Sequence, residues 1–386
     1  RVLQNRQKPD PATYIGSGKA EELSLTCQAL EIDLAIFDDE LTGAQKRNLE
    51  NALGVRVIDR TALILDIFAQ HAQSAEGKLQ VELAQMKYRL PRLTGQGTEL
   101  SRLGGGIGTR GPGETQLEVD RRRIRKRIDD LERDLKEIKQ RRDLRRARRE
   151  KQGQTVVALV GYTNAGKSTL LNALSGSDVL VEDKLFATLD PVMRNVDLPE
   201  NRSCLLVDTV GFIRKLPHPL VQAFRSTLEE ACTADLLLQV VDFSDPHHRE
   251  QMEVTQETLK ELQAGQIPCL YVMNKADLVM EESELPKVLG DRIYLSAKQG
   301  IGLAELLELI QKKLFGDYRE CTFLIPYTDG AAVSRLQEQA LVRSISYEAD
   351  GVLISVSCKE SDAGRYAAYA VSTSDDAETA FEREGA

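Results

Sequence analysis

The clearest chemistry in the sequence lies in the segment Gly161-Tyr162-Thr163-Asn164-Ala165-Gly166-Lys167-Ser168-Thr169. An apolar run at residues 156–160 precedes it, and leucines at helical spacing follow it. The pattern G-x-x-x-x-G-K-S between a strand and a helix is typical of a phosphate-binding loop, because backbone N–H groups and the helix N-terminus surround an anion. Lys167 would reach the β- and γ-phosphates of a nucleotide, and the Ser168 hydroxyl would bind Mg²⁺.

A second motif, Asp208-Thr209-Val210-Gly211, follows another apolar run at residues 204–207. An aspartate at a strand end suits a water-mediated Mg²⁺ contact, and the Gly211 N–H can contact the γ-phosphate. Between the two motifs, Phe186-Ala187-Thr188-Leu189-Asp190 places Thr188 to complete the Mg²⁺ coordination, with an ordinary loop threonine as the alternative. Lys167, Thr188 and Gly211 are therefore the candidate catalytic residues, and Mg²⁺ is the expected cofactor.

Two further motifs identify the base. Asn274-Lys275-Ala276-Asp277 follows an apolar run at residues 269–273, and Ser296-Ala297-Lys298 ends another strand pattern. The Asp277 carboxylate can accept hydrogen bonds from guanine N1–H and the 2-amino group, which adenine lacks, and the Ala297 N–H can meet guanine O6. A site built for these bonds rejects ATP because a polar group would remain unpaired. The ordered motifs predict GTP and GDP as substrate and product.

Two residues bear on the rate of hydrolysis. Many GTPases carry a glutamine after Asp-Thr-x-Gly that orients the attacking water, but this sequence has Phe212, which cannot hydrogen-bond to water. We therefore expect slow intrinsic hydrolysis that a binding partner accelerates by ordering residues 185–190 and 211–220. Asn164 lies where some related GTPases bind a monovalent cation such as K⁺, and a structural loop asparagine is the alternative. His218, His247 and His248 are interpreted as surface residues.

Length and composition indicate a multidomain globular protein. The 386 residues allow roughly two to four domains. No apolar run is long enough to span a bilayer, and the first residues lack a signal-peptide pattern, so we expect a cytoplasmic protein without membrane contact. The six cysteines at positions 27, 204, 232, 269, 321 and 358 are scattered, which favours reduced buried thiols. Because the chain begins with Arg1, we expect a native amino terminus, including a first strand, to precede it.

Charge is distributed unevenly. The net charge is −9, yet residues 121–151 contain 16 Lys/Arg and 7 Asp/Glu. Like-charged helical segments are often only solvated faces, but the stretch 141–149 holds a single acid, which favours a polyanion such as RNA. The candidate RNA-binding residues are Arg102, Arg110, Arg141, Arg142, Arg145, Arg146, Arg148 and Arg149.

The amino-terminal half divides into two predicted units. Residues 1–70 alternate helix and strand patterns, which indicates a small α/β domain. In this unit residues 15–19 only faintly resemble a phosphate loop, so we predict a turn, with a second nucleotide site as the alternative. Residues 71–152 carry two a/d seams, 79–93 and 124–138, and therefore predict an antiparallel helical hairpin in which Pro91 ends the first helix near Leu90. Its glycine-rich tip, residues 95–115, is either a flexible hairpin tip or an RNA contact.

The remaining boundaries complete the predicted fold. Residues 153–316 form a P-loop GTPase domain with a mostly parallel sheet flanked by helices, residues 317–358 a small C-terminal α/β domain, and residues 359–386 an acidic, partly disordered tail. The fold class is therefore α/β and multidomain.

The ordered motifs resemble those of the Obg-HflX-like P-loop GTPases, and the segment 104–118 (GGGIGTRGPGETQLE), with Tyr162-Thr163-Asn164 and Phe186-Ala187-Thr188-Leu189-Asp190, resembles the HflX family. The similarity extends from about residue 4 to about residue 356. It implies an N-terminal α/β domain with a helical hairpin, a GTPase domain and a small C-terminal domain. It also implies binding to the large ribosomal subunit and its RNA, with the ribosome as the partner that orders residues 185–190 and 211–220, and, as in related bacterial proteins, splitting of stalled or idle ribosomes. We expect the protein to be a monomer.

Two other function classes remain open. One is an RNA-processing or ribosome-assembly GTPase, although no cysteine or metal cluster supports chemistry on a base. The other is a GTP-gated RNA-binding scaffold in which Phe212 marks lost hydrolysis. Turnover with and without large subunits separates both from the main interpretation.

Overall fold

The structure is a computed structural model that describes residues 1–5, 8–93, 116–151, 153–176, 191–214, 231–316 and 318–371. Within these residues the strands form three sheets, one in each of the amino-terminal, central and carboxy-terminal parts of the chain. Their cores are separate hydrophobic clusters, and one further cluster joins the amino-terminal helices to the central part.

The amino-terminal part is a two-stranded parallel sheet with helices. Its elements are α1 (Ser17–Ala29), β1 (Leu34–Phe37), α2 (Gly43–Leu53), β2 (Arg56–Asp59) and α3 (Arg60–His71). A capping box between Thr42 and Gln45 starts α2, and Gly54 ends it in the left-handed conformation expected for a C-terminal glycine. Of residues 15–19, predicted to be a turn, only Ile15 and Gly16 precede α1, whereas Ser17, Gly18 and Lys19 form the first turn of that helix.

Two long helices follow, α4 (Ala75–Arg89) and α5 (Gln116–Lys151). They are antiparallel, because Glu82 pairs with Arg127 at 2.6 Å whereas Glu76, nearer the start of α4, pairs with Arg142 at 3.3 Å. The α-helix ends at Arg89 and continues as one 3₁₀ turn over Leu90–Arg92, so Pro91 acts as expected. The helical hairpin is thus present, while its glycine-rich tip lies outside the described residues.

The helices α3 and α4 share a hydrophobic core with the central part of the chain. Ile64, Leu65 and Phe68 from α3 pack in one buried cluster with Val210 and Ile213, which flank Gly211. The Arg60 guanidinium also donates to the Arg214 carbonyl at 2.8 Å. The segment that carries Asp208 and Gly211 therefore contacts the amino-terminal helices directly.

The central sheet has seven strands in the order β4-β5-β3-β6-β7-β9-β8, and it is parallel except for the two edge strands β4 and β8. Its strands are β3 (Val156–Gly161), β4 (Val192–Leu198), β5 (Arg202–Asp208), β6 (Leu236–Asp242), β7 (Cys269–Asn274), β8 (Lys287–Leu289) and β9 (Arg292–Tyr294). Its helices are α6 (Lys167–Ser175), α7 (His248–Glu261) and α8 (Leu303–Phe315). Because the carboxyl ends of parallel strands meet at one edge, the loops after β3, β5, β7 and β9 converge there.

The carboxy-terminal part is a three-stranded antiparallel sheet in the order β10-β12-β11, covered by helices. Its elements are β10 (Tyr318–Ile325), α9 (Gly330–Gln339), β11 (Leu341–Glu348), β12 (Gly351–Lys359) and α10 (Glu360–Arg365). The prediction that the tail begins at residue 359 is wrong for residues 359–371. Tyr366 is buried against Phe323, and the Val371 N–H donates to the Thr322 carbonyl at 2.9 Å, so aromatic anchors order an Ala/Ser-rich stretch. Residues 372–386 lie outside the described residues.

Candidate functional site

The loop between β3 and α6 has a backbone that only its glycines permit at two positions. A side chain on Gly161 would meet the Val240 carbonyl oxygen at 2.2 Å, and one on Gly166 would meet the Asn274 amide nitrogen at 2.2 Å. Both glycines have positive φ, 149° and 93°. The loop therefore packs closely against the ends of β6 and β7 and leads directly into the start of α6, where backbone N–H groups can bind an anion.

Lys167 is the first residue of α6, and its side chain is buried. Its ammonium donates to the carbonyl oxygens of Tyr162 at 3.0 Å and Gly161 at 3.3 Å. Burial lowers the pKa of Lys167 to about 8, and the nearby Asp208 carboxylate opposes that shift only in part. An ammonium held in this way is strongly stabilised by an anion placed in the loop.

Ser168 and Asp208 meet at the carboxyl ends of adjacent strands. The Ser168 hydroxyl donates to a carboxylate oxygen of Asp208 at 2.6 Å. The neighbouring Thr209 is fully buried, and its hydroxyl donates to the Leu159 carbonyl at 2.7 Å, which joins the end of β5 to β3. The structure thus brings together two of the three residues that the sequence assigned to Mg²⁺, Ser168 and Asp208.

The segment after Asp208 pairs with the phosphate loop through its backbone. The Phe212 N–H donates to the Gly161 carbonyl at 3.0 Å, and the Thr163 N–H donates to the Phe212 carbonyl at 2.9 Å. Gly211 lies so close to the loop that a side chain there would meet the Thr163 Cα at 2.8 Å. The Phe212 ring itself is buried among Ala158, Val160 and neighbouring apolar residues, so it faces the core rather than the loop.

The base-recognition motifs are joined by one side chain. The Asn274 amide donates to the Ala165 carbonyl at 2.9 Å, and its oxygen accepts from the Ala297 N–H at 3.0 Å. Asn274 therefore holds the phosphate loop and the loop after β9 together. The predicted contact of the Ala297 N–H with guanine O6 would have to share that donor with Asn274.

Asp277 lies in a short 3₁₀ turn beyond Asn274 and is half-buried. Its carboxylate has no hydrogen-bond or ion-pair partner in the part of the chain that the structure describes. Ser296 is buried and its hydroxyl accepts from the Gln299 N–H, whereas Lys298 is exposed. An unpaired, partly buried carboxylate at this edge suits a ligand with two adjacent N–H donors.

Comparison with known proteins agrees with this geometry. Residues 1–69 match a family model described as GTP-binding GTPase N-terminal, residues 71–149 one described as GTP-binding GTPase Middle Region, and residues 156–275 one described as 50S ribosome-binding GTPase. GTPase HflX from Caldanaerobacter subterraneus subsp. tengcongensis is 54% identical over 92% of this chain and 82% of its own length.

The chain belongs to the HflX family of GTPases. GTPase HflX from Escherichia coli is 44% identical over 91% of this chain and 83% of its own length. A solved GTP-binding protein from Sulfolobus solfataricus, in complex with GDP, is 28% identical, with a TM-score of 0.43 over 80% of this chain and 88% of that one. At that score the structural likeness adds nothing to the assignment. The family membership and the P-loop domain make this protein a GTPase that binds GTP and GDP.

The oxygen donors also fit the metal that such enzymes use. A serine hydroxyl and an aspartate carboxylate within 2.6 Å of each other form a hard-oxygen set, the type that Mg²⁺ prefers. Ser168 would bind the ion directly, Asp208 would hold one of its waters, and the ion would neutralise charge on the β- and γ-phosphates. Lys167 would place its own charge beside the same oxygens.

The structure describes some of the other predicted site residues and not the rest. Thr188 and the rest of 186–190 lie outside the described residues, as do Arg102, Arg110 and His218. The remaining predicted contact residues lie on the same converging loops: Tyr162, Thr163, Asn164, Ala165, Thr169, Val210, Lys275 and Ala276. His247 is an exposed surface residue, as predicted, and His248 is half-buried and turned toward the Asp245 carbonyl.

The predicted RNA-binding arginines divide into two groups on α5. Arg142 pairs with Glu76 and is only 17% exposed, and Arg149 contacts the Met193 sulfur at 3.2 Å. Arg146 is half-buried, whereas Arg141, Arg145 and Arg148 are exposed on one face beside the exposed Leu144. Helical spacing places residues three and four apart on one face, and the contacts of α5 with Glu76 and Met193 decide which face is buried.

The sequence interpretation missed Asp242. It ends β6, and its carboxylate lies 2.6 Å from the Lys275 ammonium. An aspartate at a strand end, one strand beyond the phosphate loop, was the available signal. It was overlooked because no motif includes it.

We expect Asp277→Asn to change base preference. Asparagine presents an N–H where the carboxylate accepted bonds, so it should weaken GTP binding roughly 100-fold or more and favour a xanthine nucleotide, whose C2 carbonyl accepts a bond. Competition against a fluorescent guanine nucleotide measures both affinities. Glu282→Gln removes an exposed carboxylate nearby and should change neither. A variant that bound both nucleotides as the parent does would contradict the assignment of Asp277.

The buried ammonium predicts how GTP affinity depends on pH. Below about pH 8 Lys167 is protonated and can meet the phosphates, whereas above it the free protein must take up a proton to bind. Affinity should therefore be constant below that pH and fall by up to about tenfold per pH unit above it. Titration calorimetry from pH 7 upward measures this. Guanosine, which carries the base without phosphate, is the control, and an identical pH dependence for both ligands would contradict the prediction.

Proposed function

We propose that this GTPase associates with the large ribosomal subunit through ribosomal RNA and splits or rescues stalled or idle ribosomes, with its nucleotide state gating the association. The observation that carries the proposal is the match of residues 156–275 to a family model described as 50S ribosome-binding GTPase. The exposed arginines of α5 support an RNA contact, because a positive helix face releases counterions when it meets phosphates. It would act in the cytoplasm, partly bound to ribosomes, as a monomer.

In this proposal each converging loop has one task. The phosphates are bound by Lys167, Ser168 and the N–H groups of the phosphate loop, together with Mg²⁺. The metal site is completed by Asp208 and Thr188. The Gly211 N–H contacts the γ-phosphate when GTP is bound. Asp277 and the loop around Ala297 select guanine. These assignments rest on the distances among Ser168, Asp208, Asn274 and Ala297.

Slow intrinsic hydrolysis is part of the same proposal. The Phe212 ring is buried in the core, so the position that carries a water-orienting glutamine in many GTPases offers no polar group to the phosphates. The group that orients water must then come from elsewhere, and we infer that ribosome binding supplies the missing order. Val210 and Ile213 pack against α3 and α4. This packing connects the nucleotide site with the amino-terminal helices, so we infer that ribosome binding can affect the nucleotide site through it.

Asn164 is proposed to contribute to a site for a monovalent cation. Its side chain is exposed at the top of the phosphate loop, and its backbone has a left-handed φ of 62°. We expect faster GTP turnover in potassium than in sodium at equal ionic strength, and loss of the difference in Asn164→Ser. Equal rates in both salts for the parent protein would remove this idea.

Ribosome binding is expected to depend on nucleotide and on the exposed arginines. Sedimentation with purified large subunits should show tighter binding with a nonhydrolysable GTP analogue than with GDP. Replacing Arg141, Arg145 and Arg148 by glutamate should weaken it roughly 10- to 100-fold and flatten its salt dependence. The same change at Arg249, Lys260 and Arg335, exposed on other faces, is the charge-matched control. Equal binding with both nucleotides would contradict the proposed gating.

A further inference from the structure

Asp242 is a charged residue that the nucleotide motifs do not include, yet it lies among them. It is the last residue of β6, between the strand that leads into the phosphate loop and the strand that ends in Asn274. Its side chain is 18% exposed. One carboxylate oxygen lies 2.6 Å from the Lys275 ammonium, and the other accepts from the N–H and hydroxyl of Ser244. The two oxygens therefore have separate partners, Lys275 in the loop after β7 and Ser244 in the loop after β6.

The Lys275 ammonium extends this contact to the phosphate loop. It donates to the Asn164 carbonyl at 2.9 Å as well as to Asp242. Both Lys275 and Asn164 have left-handed backbones, with φ of 59° and 62°. A non-glycine residue in this region is disfavoured, so the surrounding contacts must maintain the conformation. The contacts from Asp242 to Lys275 and from Lys275 to Asn164 join the two residues with this backbone.

A charge-assisted bond also determines where the ammonium points. Lysine has a long, flexible side chain, and without an anchor its ammonium would leave the loop for water. Asp242 supplies a fixed negative charge on a rigid strand end. The ammonium is thereby kept against Asn164, on the outer side of the loop, while Asn274 holds Ala165 from the inner side.

We propose that Asp242 is a positioning residue of the GTP site: through Lys275 it locks the phosphate loop to the guanine-recognition loop and so sets how long the nucleotide stays bound. Asp242 touches neither base nor phosphate, so base selection remains with Asp277. The proposal rests on GTP binding at these loops and is independent of any ribosome contact, so failure of ribosome association would leave it intact.

The test is the dissociation rate of fluorescent GDP and of a nonhydrolysable GTP analogue from the full chain. Asp242→Asn keeps the size and the Ser244 bonds but loses the charge facing Lys275, and it should speed release of both nucleotides roughly 10- to 100-fold. The preference for guanine over xanthine should be unchanged. Asp245→Asn is the matched control, because the Asp245 carboxylate lies three residues on in the same loop and accepts hydrogen bonds from the His247 N–H and the Gln251 amide instead of facing Lys275.

Two further variants decide whether Asp242 acts through Lys275. Lys275→Met should speed release, and the double variant Asp242→Asn/Lys275→Met should release no faster than Lys275→Met alone, since one interaction is removed only once. Ser244→Ala removes the bond to the other oxygen and should change release less than twofold. Additive effects in the double variant, or equal acceleration by Ser244→Ala, would overturn the proposal and leave Asp242 as part of loop structure only. If Asp242→Asn does not fold, the nucleotide dissociation rates of Ser244→Ala and Lys275→Met still test the proposal.

Discussion

A buried ammonium group requires a compensating anion, and the nucleotide site is arranged around this requirement. Lys167 is removed from water at the start of α6, where burial lowers its pKa to about 8. Two carbonyl oxygens accept its hydrogen bonds, and the Asp208 carboxylate at the neighbouring strand end attracts it electrostatically. Those groups only partly offset the loss of hydration, so the phosphates of GTP complete the environment of the lysine. The same loop is confined by close contacts at Gly161 and Gly166, which keeps the ammonium and the backbone donors in one geometry.

The loops around this lysine are tied together by side chains that do not themselves meet phosphate. Asn274 bonds Ala165 and Ala297, and Lys275 bonds Asn164 and Asp242. The two Asn274 bonds are buried and the bond between Lys275 and Asp242 is partly buried, so a lost partner there costs more than it would at the surface, where the bond from Lys275 to Asn164 lies. The site is therefore a set of loops whose relative positions are fixed by hydrogen bonds rather than by the loops' own rigidity.

The site also has direct contacts with the rest of the chain. Val210 and Ile213 pack into the core of α3 and α4, and Arg60 bonds the Arg214 carbonyl. Arg149 near the end of α5 contacts Met193 on β4, and Arg202 at the start of β5 bonds Ser357 at 2.6 Å and stacks on Phe315. The central sheet thus contacts both the basic helix and the carboxy-terminal sheet.

The sequence alone determined the chemistry of the site, because glycines, a lysine and acids at this spacing serve few other purposes. It also determined the parallel strands beneath the site, because each short apolar run is followed directly by one of these motifs, which is typical of a buried strand in a parallel sheet. It also showed the two seams of the helical hairpin. It did not show the edge strands β4 and β8, whose mixed composition gives no clear period, or the order of residues 359–371, which depends on Tyr366 finding Phe323. Only the tertiary structure decided which arginines of α5 are exposed, that Phe212 faces the core, and that Asp242 reaches Lys275. These are contacts between residues far apart in the chain, and no local pattern records them.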